Sequence, residues 1–167
     1  MNSVKTLTEP PSTYRKAVSI SSPASGRTAG LDATSCVLTR HEVWGPGCAV
    51  NTMSPKVTSP FNGTVTDVSP LDYAVTIKAS FGLICRIKFG DNTTQLHGER
   101  FVCPLTIGEK VVSGQTLFSV NNGWLKQQGV LPLCIVTVTN AKRILGVVPS
   151  SQKHVNANVD PIFTVYV

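Results

Sequence analysis

Side chains able to act as acids, bases, nucleophiles or metal ligands are few and scattered in this sequence. Three histidines, His41, His97 and His154, lie far apart along the chain, and the five cysteines form no Cys-x-x-Cys pair. A structural zinc site needs closely spaced Cys and His ligands, and a disulfide framework needs an even set of cysteines, so neither is indicated. The phosphate-binding loop G-x-x-x-x-G-K-[S/T] and the nucleophile elbow G-x-S-x-G are also absent. From these residues we expect no metal centre and no cofactor.

The charge balance bears on the class of partner. The chain carries 15 Lys+Arg against 9 Asp+Glu, a formal net charge of +6. A nucleic-acid-binding protein concentrates its basic residues on one face or stretch. Here they are spread from Lys5 to Lys153 and are adjacent only at Arg15-Lys16 and Lys142-Arg143. A nucleic-acid partner is therefore not expected.

The elements that must position any site are short and strand-like. Segments rich in β-branched residues alternate with Gly, Pro, Asn and Ser at roughly the 8–12-residue spacing of an all-β sandwich or barrel. We predict an all-β fold with short helical turns at 93–97 and 139–145 only. The predicted strands cover residues 57–59, 63–68, 73–78, 82–89, 117–120, 134–139 and 162–167. The phenylalanines predicted to fill the core are Phe61, Phe81, Phe89, Phe101, Phe118 and Phe163.

The first residues differ from the rest. Residues 1–16 show no hydrophobic periodicity and are predicted to form a flexible tail, which leaves residues 17–167 as a single domain. They lack the apolar core of a signal peptide. The most apolar stretch, residues 130–138, is shorter than the ~20 residues of a membrane span and contains Pro132. We therefore expect no transmembrane segment and a cytoplasmic location, where cysteines stay reduced.

Two weak internal repeats predict a duplicated architecture. Ser-Pro-Ala-Ser-Gly at residues 22–26 returns as Ser-Pro-Phe-Asn-Gly at residues 59–63. Leu-Phe-Ser-Val at residues 117–120 returns as Ile-Phe-Thr-Val at residues 162–165. Each of the latter follows a turn residue able to adopt a positive φ, Gly114 or Asn158.

These segments, taken in order, resemble a known family. Between the two Ser-Pro-x-x-Gly turns lies Gly-Pro-Gly-Cys-Ala-Val at residues 45–50, and Asp-Tyr-Ala-Val-Thr-Ile follows at residues 72–77. Ile-Lys-Phe-Gly-Asp-Asn-Thr-Thr-Gln-Leu-His-Gly-Glu-Arg-Phe comes next, at residues 87–101. Order and spacing are similar to the glucose-type enzyme IIA domain of the bacterial phosphoenolpyruvate-dependent sugar phosphotransferase system. The resemblance covers about residues 18–167 and implies an antiparallel β-sandwich with Greek-key connections.

The resemblance also implies a chemistry, and this chain departs from it. Members of that family accept a phosphoryl group from the phosphocarrier HPr on one histidine, while a second histidine hydrogen-bonds the group. Lys88 stands at the acceptor position and Tyr73 at the partner position, and a nearby threonine of the family is replaced by Leu71. A lysine is ordinarily protonated at pH 7, so Lys88 is no nucleophile there.

The docking face of the resembling family is altered as well. Family acidic residues that meet an arginine of HPr correspond to Cys36 and Asn92, and further acidic positions to His41 and Gln95. Losing carboxylates opposite a basic partner weakens electrostatic steering. The candidate partner face implied by the resemblance comprises Cys36, Thr39, His41, Leu71, Tyr73, Lys88, Asn92 and Gln95.

The combined departures lead to a functional prediction with an alternative. We expect a degenerate, non-catalytic regulatory or protein-binding module related to sugar uptake. Its partner would be a phosphotransferase-system component, HPr or the sugar-specific IIB or IIC, or a regulated enzyme. The alternative is an active phosphocarrier that relays phosphoryl groups to IIB through a displaced histidine, His41 or His97. A third hypothesis takes Lys88 and the positive charge as an anion or phosphosugar pocket.

Overall fold

Antiparallel strands are the main regular structure of the computed structural model, which describes residues 5–167. Thirteen strands pair in an eight-stranded, a three-stranded and a two-stranded sheet. The strands are β1 (Ala17–Ser21), β2 (Gly26–Ala29), β3 (Gly47–Asn51), β4 (Lys56–Thr58), β5 (Gly63–Ser69), β6 (Ala74–Ala79), β7 (Ile84–Phe89), β8 (Lys110–Val111), β9 (Thr116–Ser119), β10 (Leu133–Val138), β11 (Gly146–Pro149), β12 (His154–Val155) and β13 (Pro161–Tyr166). The prediction of an antiparallel all-β fold is confirmed.

The sheets join strands that are distant in sequence. The large sheet runs in the order β12-β2-β3-β10-β7-β6-β5-β8, the three-stranded sheet in the order β1-β13-β11, and β4 pairs with β9. Helical structure is short, as predicted, but it is not confined to the two predicted turns. The α-helices are α1 (Val37–Arg40) and α2 (Asn122–Gln127), and single 3-10 turns cover Leu31–Ala33, Thr94–Leu96 and Ala141–Arg143. The last two lie inside the predicted helical turns.

Along β7, alternate side chains face the hydrophobic core and the opposite side of the sheet. Successive strand residues point to opposite faces of a sheet, and on one face Cys85, Ile87 and Phe89 are wholly buried in the main hydrophobic core. Arg86 and Lys88 point to the other face, where they are also largely buried. That second face carries a smaller apolar cluster, made by Leu31, Ala49, Leu133 and Ile135.

The predicted duplication is present in the turns. Ser22 and Ser59 are fully buried, and their hydroxyls donate to the carbonyls of Ala24 and Phe61, each at 2.6 Å. Gly26 and Gly63, which end the two repeats, begin β2 and β5. Gly114 and Asn158 adopt φ values of 88° and 62° and donate their amides to the carbonyls of Ser59 and Ser22. The positive φ predicted for both residues is confirmed.

Two further sequence predictions need correction or extension. Phe81 does not fill the core, because it lies in the β6–β7 turn with its ring half exposed against Phe61. In the predicted tail, Lys5 and Leu7 form backbone bonds with Val147, and the Thr6 amide donates to Glu42 Oε1 at 2.9 Å. Residues 1–4 lie outside the described residues. The predicted division at residue 17 stays a prediction.

Candidate functional site

Lys88 is the centre of the predicted site, and its ammonium is buried. It lies on β7 opposite Ala74 of β6 and Ile135 of β10, and it is 5% exposed. Its Nζ donates to the Asp72 carbonyl at 2.6 Å and to Thr93 Oγ1 at 3.0 Å. Two of its three N–H groups are therefore occupied by neutral acceptors of the protein.

The burial of Lys88 alters its protonation. Burial, followed by repulsion from Arg86, lowers its pKa from 10.5 to about 8, although Asp72 and Cys36 act in the opposite direction. Removal from water disfavours the charged form of a lysine. Because about 8 is still above neutrality, the side chain remains mainly an ammonium ion at pH 7 and has no free electron pair for attack.

A second cation lies on the same face. Arg86 Nη2 is 3.3 Å from Asp72 Oδ2, and the guanidinium carbon is 4.2 Å from the centroid of the Trp44 ring. Burial lowers the pKa of Arg86, an effect opposed by Asp72. The Trp44–Arg86–Asp72 chain of contacts links the segment after α1 to the turn before β6. Trp44 is thus part of the site, although the sequence assigned it no role.

Cys36 lies at the N-terminus of α1 and is electrostatically coupled to Lys88. Burial raises the pKa of its thiol, but hydrogen bonds from the Thr39 hydroxyl and from the Thr39 and Leu38 amides, together with the charge of Lys88, lower it overall. The side chain is half-buried. Cys36 thus lies within electrostatic reach of Lys88, and Thr39 lies beside Cys36. Their place in a partner face stays a prediction.

The start of α1 is anchored to the loop after β7. The Ser35 hydroxyl donates to Asp91 Oδ2, and the Leu131 amide donates to Asp91 Oδ1 at 3.3 Å. Burial raises the pKa of Asp91, but the bonds from Ser35 and backbone amides outweigh it and lower that pKa overall. Asn92 reaches Ser35 through its side-chain amide at 3.4 Å, and Gln95 donates to the Asn92 carbonyl at 2.8 Å.

Tyr73 is placed differently from Lys88. Its side chain is wholly buried within the main core, with its ring centroid 5.4 Å from that of Phe101 and its hydroxyl donating to the Glu99 carbonyl. Its φ is 50°, an uncommon value for an aromatic residue. Burial, with the charge of Glu99, raises the pKa of the phenol. Tyr73 fixes the turn beneath the site and offers no surface to a partner.

The predicted face therefore contains two layers. Thr39, Tyr73 and Lys88 are buried, so a docked protein would touch the exposed His41, Leu71, Asn92 and Gln95 and the half-buried Cys36. Among residues 5–167, no hydrogen bond joins an imidazole to Lys88 or Tyr73. His154 lies on β12, separated from β7 by three strands of the sheet.

Exposed apolar residues complete the outer layer, and the sequence analysis named only Leu71 among them. Val37 and Leu38 of α1 are 56% and 50% exposed, Val43 is 59% exposed, and Leu71 is 50% exposed. We call the set of Val37, Leu38, Val43, Trp44 and Leu71 the α1 surface. The sequence feature that could have revealed this surface is the apolar pair at residues 37–38, followed by a threonine. In α1 the apolar residues are exposed and the threonine is buried, the reverse of an ordinary amphipathic helix, and a four-residue helix is too short for that pattern to be recognised.

Two further observations concern the described residues. Between residues 5 and 167 no group of three or more His, Cys, Asp or Glu side chains is placed to hold a metal ion. None of the helices in that range has the length and apolar character needed to cross a bilayer.

Comparisons with known proteins agree with the fold. Residues 18–144 match the family described as phosphoenolpyruvate-dependent sugar phosphotransferase system, EIIA 1. Among solved structures, glucose permease IIA from Mycoplasma capricolum has a TM-score of 0.74 to this chain at 20% identity, covering 90% of this chain and 96% of that one. At this identity the structural likeness shows the fold.

Proposed function

Because this chain belongs to the EIIA 1 family of the phosphoenolpyruvate-dependent sugar phosphotransferase system, we propose that it is a degenerate member. It does not carry phosphoryl groups, and it binds a protein partner of sugar uptake through the α1 surface. The observation that carries the proposal is the state of Lys88. At the position that the resemblance assigns to the acceptor histidine, the side chain is a buried ammonium held by Asp72 and Thr93.

The chemistry of the buried layer supports the first half of the proposal. Phosphoryl transfer through a side chain requires a nucleophilic atom that can also act as a leaving group. The protonated amine of Lys88 has no free electron pair, and the Tyr73 hydroxyl is committed to the Glu99 carbonyl. Neither can replace an imidazole pair.

The outer layer supports the second half of the proposal. The α1 surface exposes four aliphatic side chains and a tryptophan, close to two buried cations. Aromatic and apolar residues without carboxylates are typical of the centre of a protein interface. The positions that the resemblance assigns to acidic residues hold Cys36, His41, Asn92 and Gln95. A partner matched to this face is expected to present apolar side chains rather than a basic patch.

Phosphorylation can be tested directly. The chain is incubated with phosphoenolpyruvate, enzyme I and HPr, and its intact mass is measured at alkaline pH, with an active glucose-type IIA domain as positive control. We expect no gain of about 80 Da, the mass of one phosphoryl group. A stoichiometric adduct that survives alkali and is lost in acid, as a phosphohistidine is, would contradict the proposal.

The displaced-histidine alternative has its own test. If an adduct forms, His41→Gln and His97→Gln are assayed singly and together. Loss of the adduct in one variant identifies the displaced acceptor and replaces the degenerate function with phosphoryl relay. His154→Gln, far along the sheet, is the matched control and should behave as the parent chain does.

Partner binding is tested with HPr and with the IIB domain. Titration of the isotope-labelled chain should shift the amide signals of residues 36–44 and 70–72 for at least one of them. Leu38→Asp should abolish those shifts, while Val159→Asp, at a position 75% exposed, should preserve them. Shifts confined to other residues, or none with either protein, would contradict a partner of this class at the α1 surface.

A further inference from the structure

The two adjacent basic pairs of the sequence meet at one place on the surface. Arg15, Lys142 and Arg143 line a depression of about 420 Å³, and Lys16 and Arg143 border a second cavity of about 180 Å³. All four side chains are exposed. Because Arg143, Ile144 and Val167 line both, the two depressions are adjacent. We call them together the basic groove; its lining residues are 13–16, 18, 81–83, 140, 142–145, 165 and 167.

The floor of the basic groove is apolar. Leu83, Ile144 and Val165 form it and are almost completely buried. Phe81, which departs from the predicted core, stands at one side with its ring 51% exposed. Tyr14, on the other side, is 50% exposed and packs edge-on against Tyr166. The groove thus combines an apolar cavity with aromatic and basic borders.

Acidic side chains of the described residues do not offset the cations of the basic groove. Over residues 5–167, no Asp or Glu lines either depression, and none of the four cations forms an ion pair with a described residue. The 3-10 turn that carries Lys142 and Arg143 is held by another lysine, since Lys5 Nζ donates to the carbonyls of Ala141 and Ile144. The turn that carries Lys142 and Arg143 is therefore fixed in position beside the groove.

An open strand edge borders the same groove. β1 is the outer strand of the three-stranded sheet over the described residues. Lys16 and Val167 exchange both backbone hydrogen bonds, at 3.0 and 2.9 Å. In an antiparallel pair, every second residue of a strand directs its N–H and C=O groups away from the partner strand. In β1 these residues are Ala17 and Ser19, whose backbone groups therefore face the open side. Both residues are exposed. This edge can accept one further strand.

We propose that the basic groove binds an extended acidic segment of a partner protein. The segment adds as a strand to β1, one apolar side chain enters the 180 Å³ cavity, and flanking carboxylates pair with Arg15, Lys16, Lys142 and Arg143. The cavity is below the 300–1,000 Å³ of ordinary small-molecule sites, but it accommodates a single large side chain. Backbone pairing gives affinity and the pocket gives selectivity in this mode of recognition.

This site is separate from the α1 surface. Phe81 and Leu83 lie at the turn that joins β6 to β7, whereas Lys88 lies near the other end of β7. At about 3.3 Å per strand residue, the two regions are well apart along the hairpin. The inference goes beyond the proposed function, and the failure of either leaves the other unaffected.

The test uses a fluorescein-labelled peptide of about nine residues, alternating Glu and Asp around one central Phe. Binding to the full chain is followed by fluorescence anisotropy at low and at physiological salt. We expect saturable binding that weakens as salt rises. Lys142→Glu with Arg143→Glu should weaken it at least tenfold. Ser19→Pro should weaken it similarly, because the ring removes an edge donor and leaves the backbone bonds to β13 in place. Ser19→Ala, which removes only the hydroxyl contact with Thr164, should bind as the parent chain does.

Matched controls separate the components. A peptide with Ser in place of the central Phe should lose most of its affinity, and Lys110→Glu with Lys126→Glu, a charge reversal elsewhere, should leave binding unchanged. Circular dichroism confirms that each variant is folded. Binding that does not saturate by about 1 mM, or that ignores Ser19→Pro, overturns the proposal. The chain is also sedimented with phosphatidylglycerol vesicles. If it binds the vesicles through Lys142 and Arg143 and the peptide does not reduce that binding, the groove recognises a lipid surface and the proposal is overturned.

Discussion

A single buried lysine determines much of the chemistry at the centre of this molecule. Lys88 retains its proton at pH 7 because two acceptors and nearby Asp72 partly offset its burial, yet its lowered pKa indicates that the ammonium is costly to bury. The same charge helps to lower the pKa of the Cys36 thiol. The residue that stands where a nucleophile is expected thus acts on its neighbours as a fixed positive charge.

The cost of that charge should depend on pH. The folded-state pKa of Lys88 is about 8, against an ordinary 10.5. Below about pH 8 both states bind the proton and the folded state bears the full cost, whereas between the two values the folded state releases it first, so stability rises with pH. We expect Lys88→Met to raise the free energy of unfolding by about 1–3 kcal/mol near pH 6.5, and the gain to shrink towards pH 10. Urea unfolding at both pH values measures this.

The control for the lysine variant is Lys78→Met, which removes an exposed lysine from neighbouring β6. It should change the stability by a few tenths of a kcal/mol, with no trend between the two pH values. A Lys88→Met chain that is less stable than the parent by the same amount at every pH would mean that the buried ammonium carries no such cost.

Cys36 should be the most reactive thiol. Three of its counterparts, Cys48, Cys85 and Cys134, are buried, and burial raises the pKa of the half-buried Cys103. Since the thiolate is the reacting species, iodoacetamide near pH 7.5 should label Cys36 first, and Lys88→Met should slow that labelling. Peptide mass spectrometry over a time course gives both rates. Faster labelling of Cys103, or no effect of the lysine, would contradict the prediction.

At the scale of elements, the sequence could predict features that depend on neighbouring residues and could not predict those that depend on residues distant in the chain. The Ser-Pro-x-x-Gly turns and the positive φ at Gly114 and Asn158 follow from local residue types, and they are confirmed. The predicted strands did not include β1, β2, β3, β8, β11 and β12. β3 was missed because it begins with small residues. At Gly47 an added Cβ would lie 1.9 Å from the Val136 carbonyl, a constraint that arises only when distant β10 packs alongside. The burial of Lys88 was equally invisible, since Asp72 and Thr93 belong to separate turns.

The segment before β1 is expected to hold α1 in place. Thr6 donates its amide and its hydroxyl to Glu42 Oε1, and its Oγ1 accepts the Gly47 amide at 3.1 Å. Thr6→Val removes the side-chain bonds at almost constant volume. We expect a loss of about 1–2 kcal/mol and faster hydrogen exchange at the amides of Val37–Arg40. Thr8→Val, at an exposed position, is the control. Unchanged exchange in α1 would show that the helix is positioned without this contact.

At the scale of the whole molecule, the two halves repeat one device for closing the sandwich. In each half the carbonyl of a buried serine receives an amide proton from a positive-φ residue, and the serine hydroxyl donates to a carbonyl two residues on. The following phenylalanine-containing strand packs its ring into the shared core, Phe118 in one half and Phe163 in the other. The two turns also touch, since Thr58 Oγ1 donates to the Pro23 carbonyl at 3.1 Å.

If the halves are physically equivalent, equivalent deletions should cost the same. Ser22→Ala and Ser59→Ala each leave a buried carbonyl without its 2.6 Å donor, for which we expect a loss of about 1–3 kcal/mol in each variant. Urea unfolding of both variants, with the exposed Ser151→Ala as control, measures the two losses under identical conditions. Because the turns are in contact, the double variant should depart from the sum of the single losses. A loss in one half alone would mean that the repeated sequence preserves the shape of the turn but no longer stabilises both halves of the core equally.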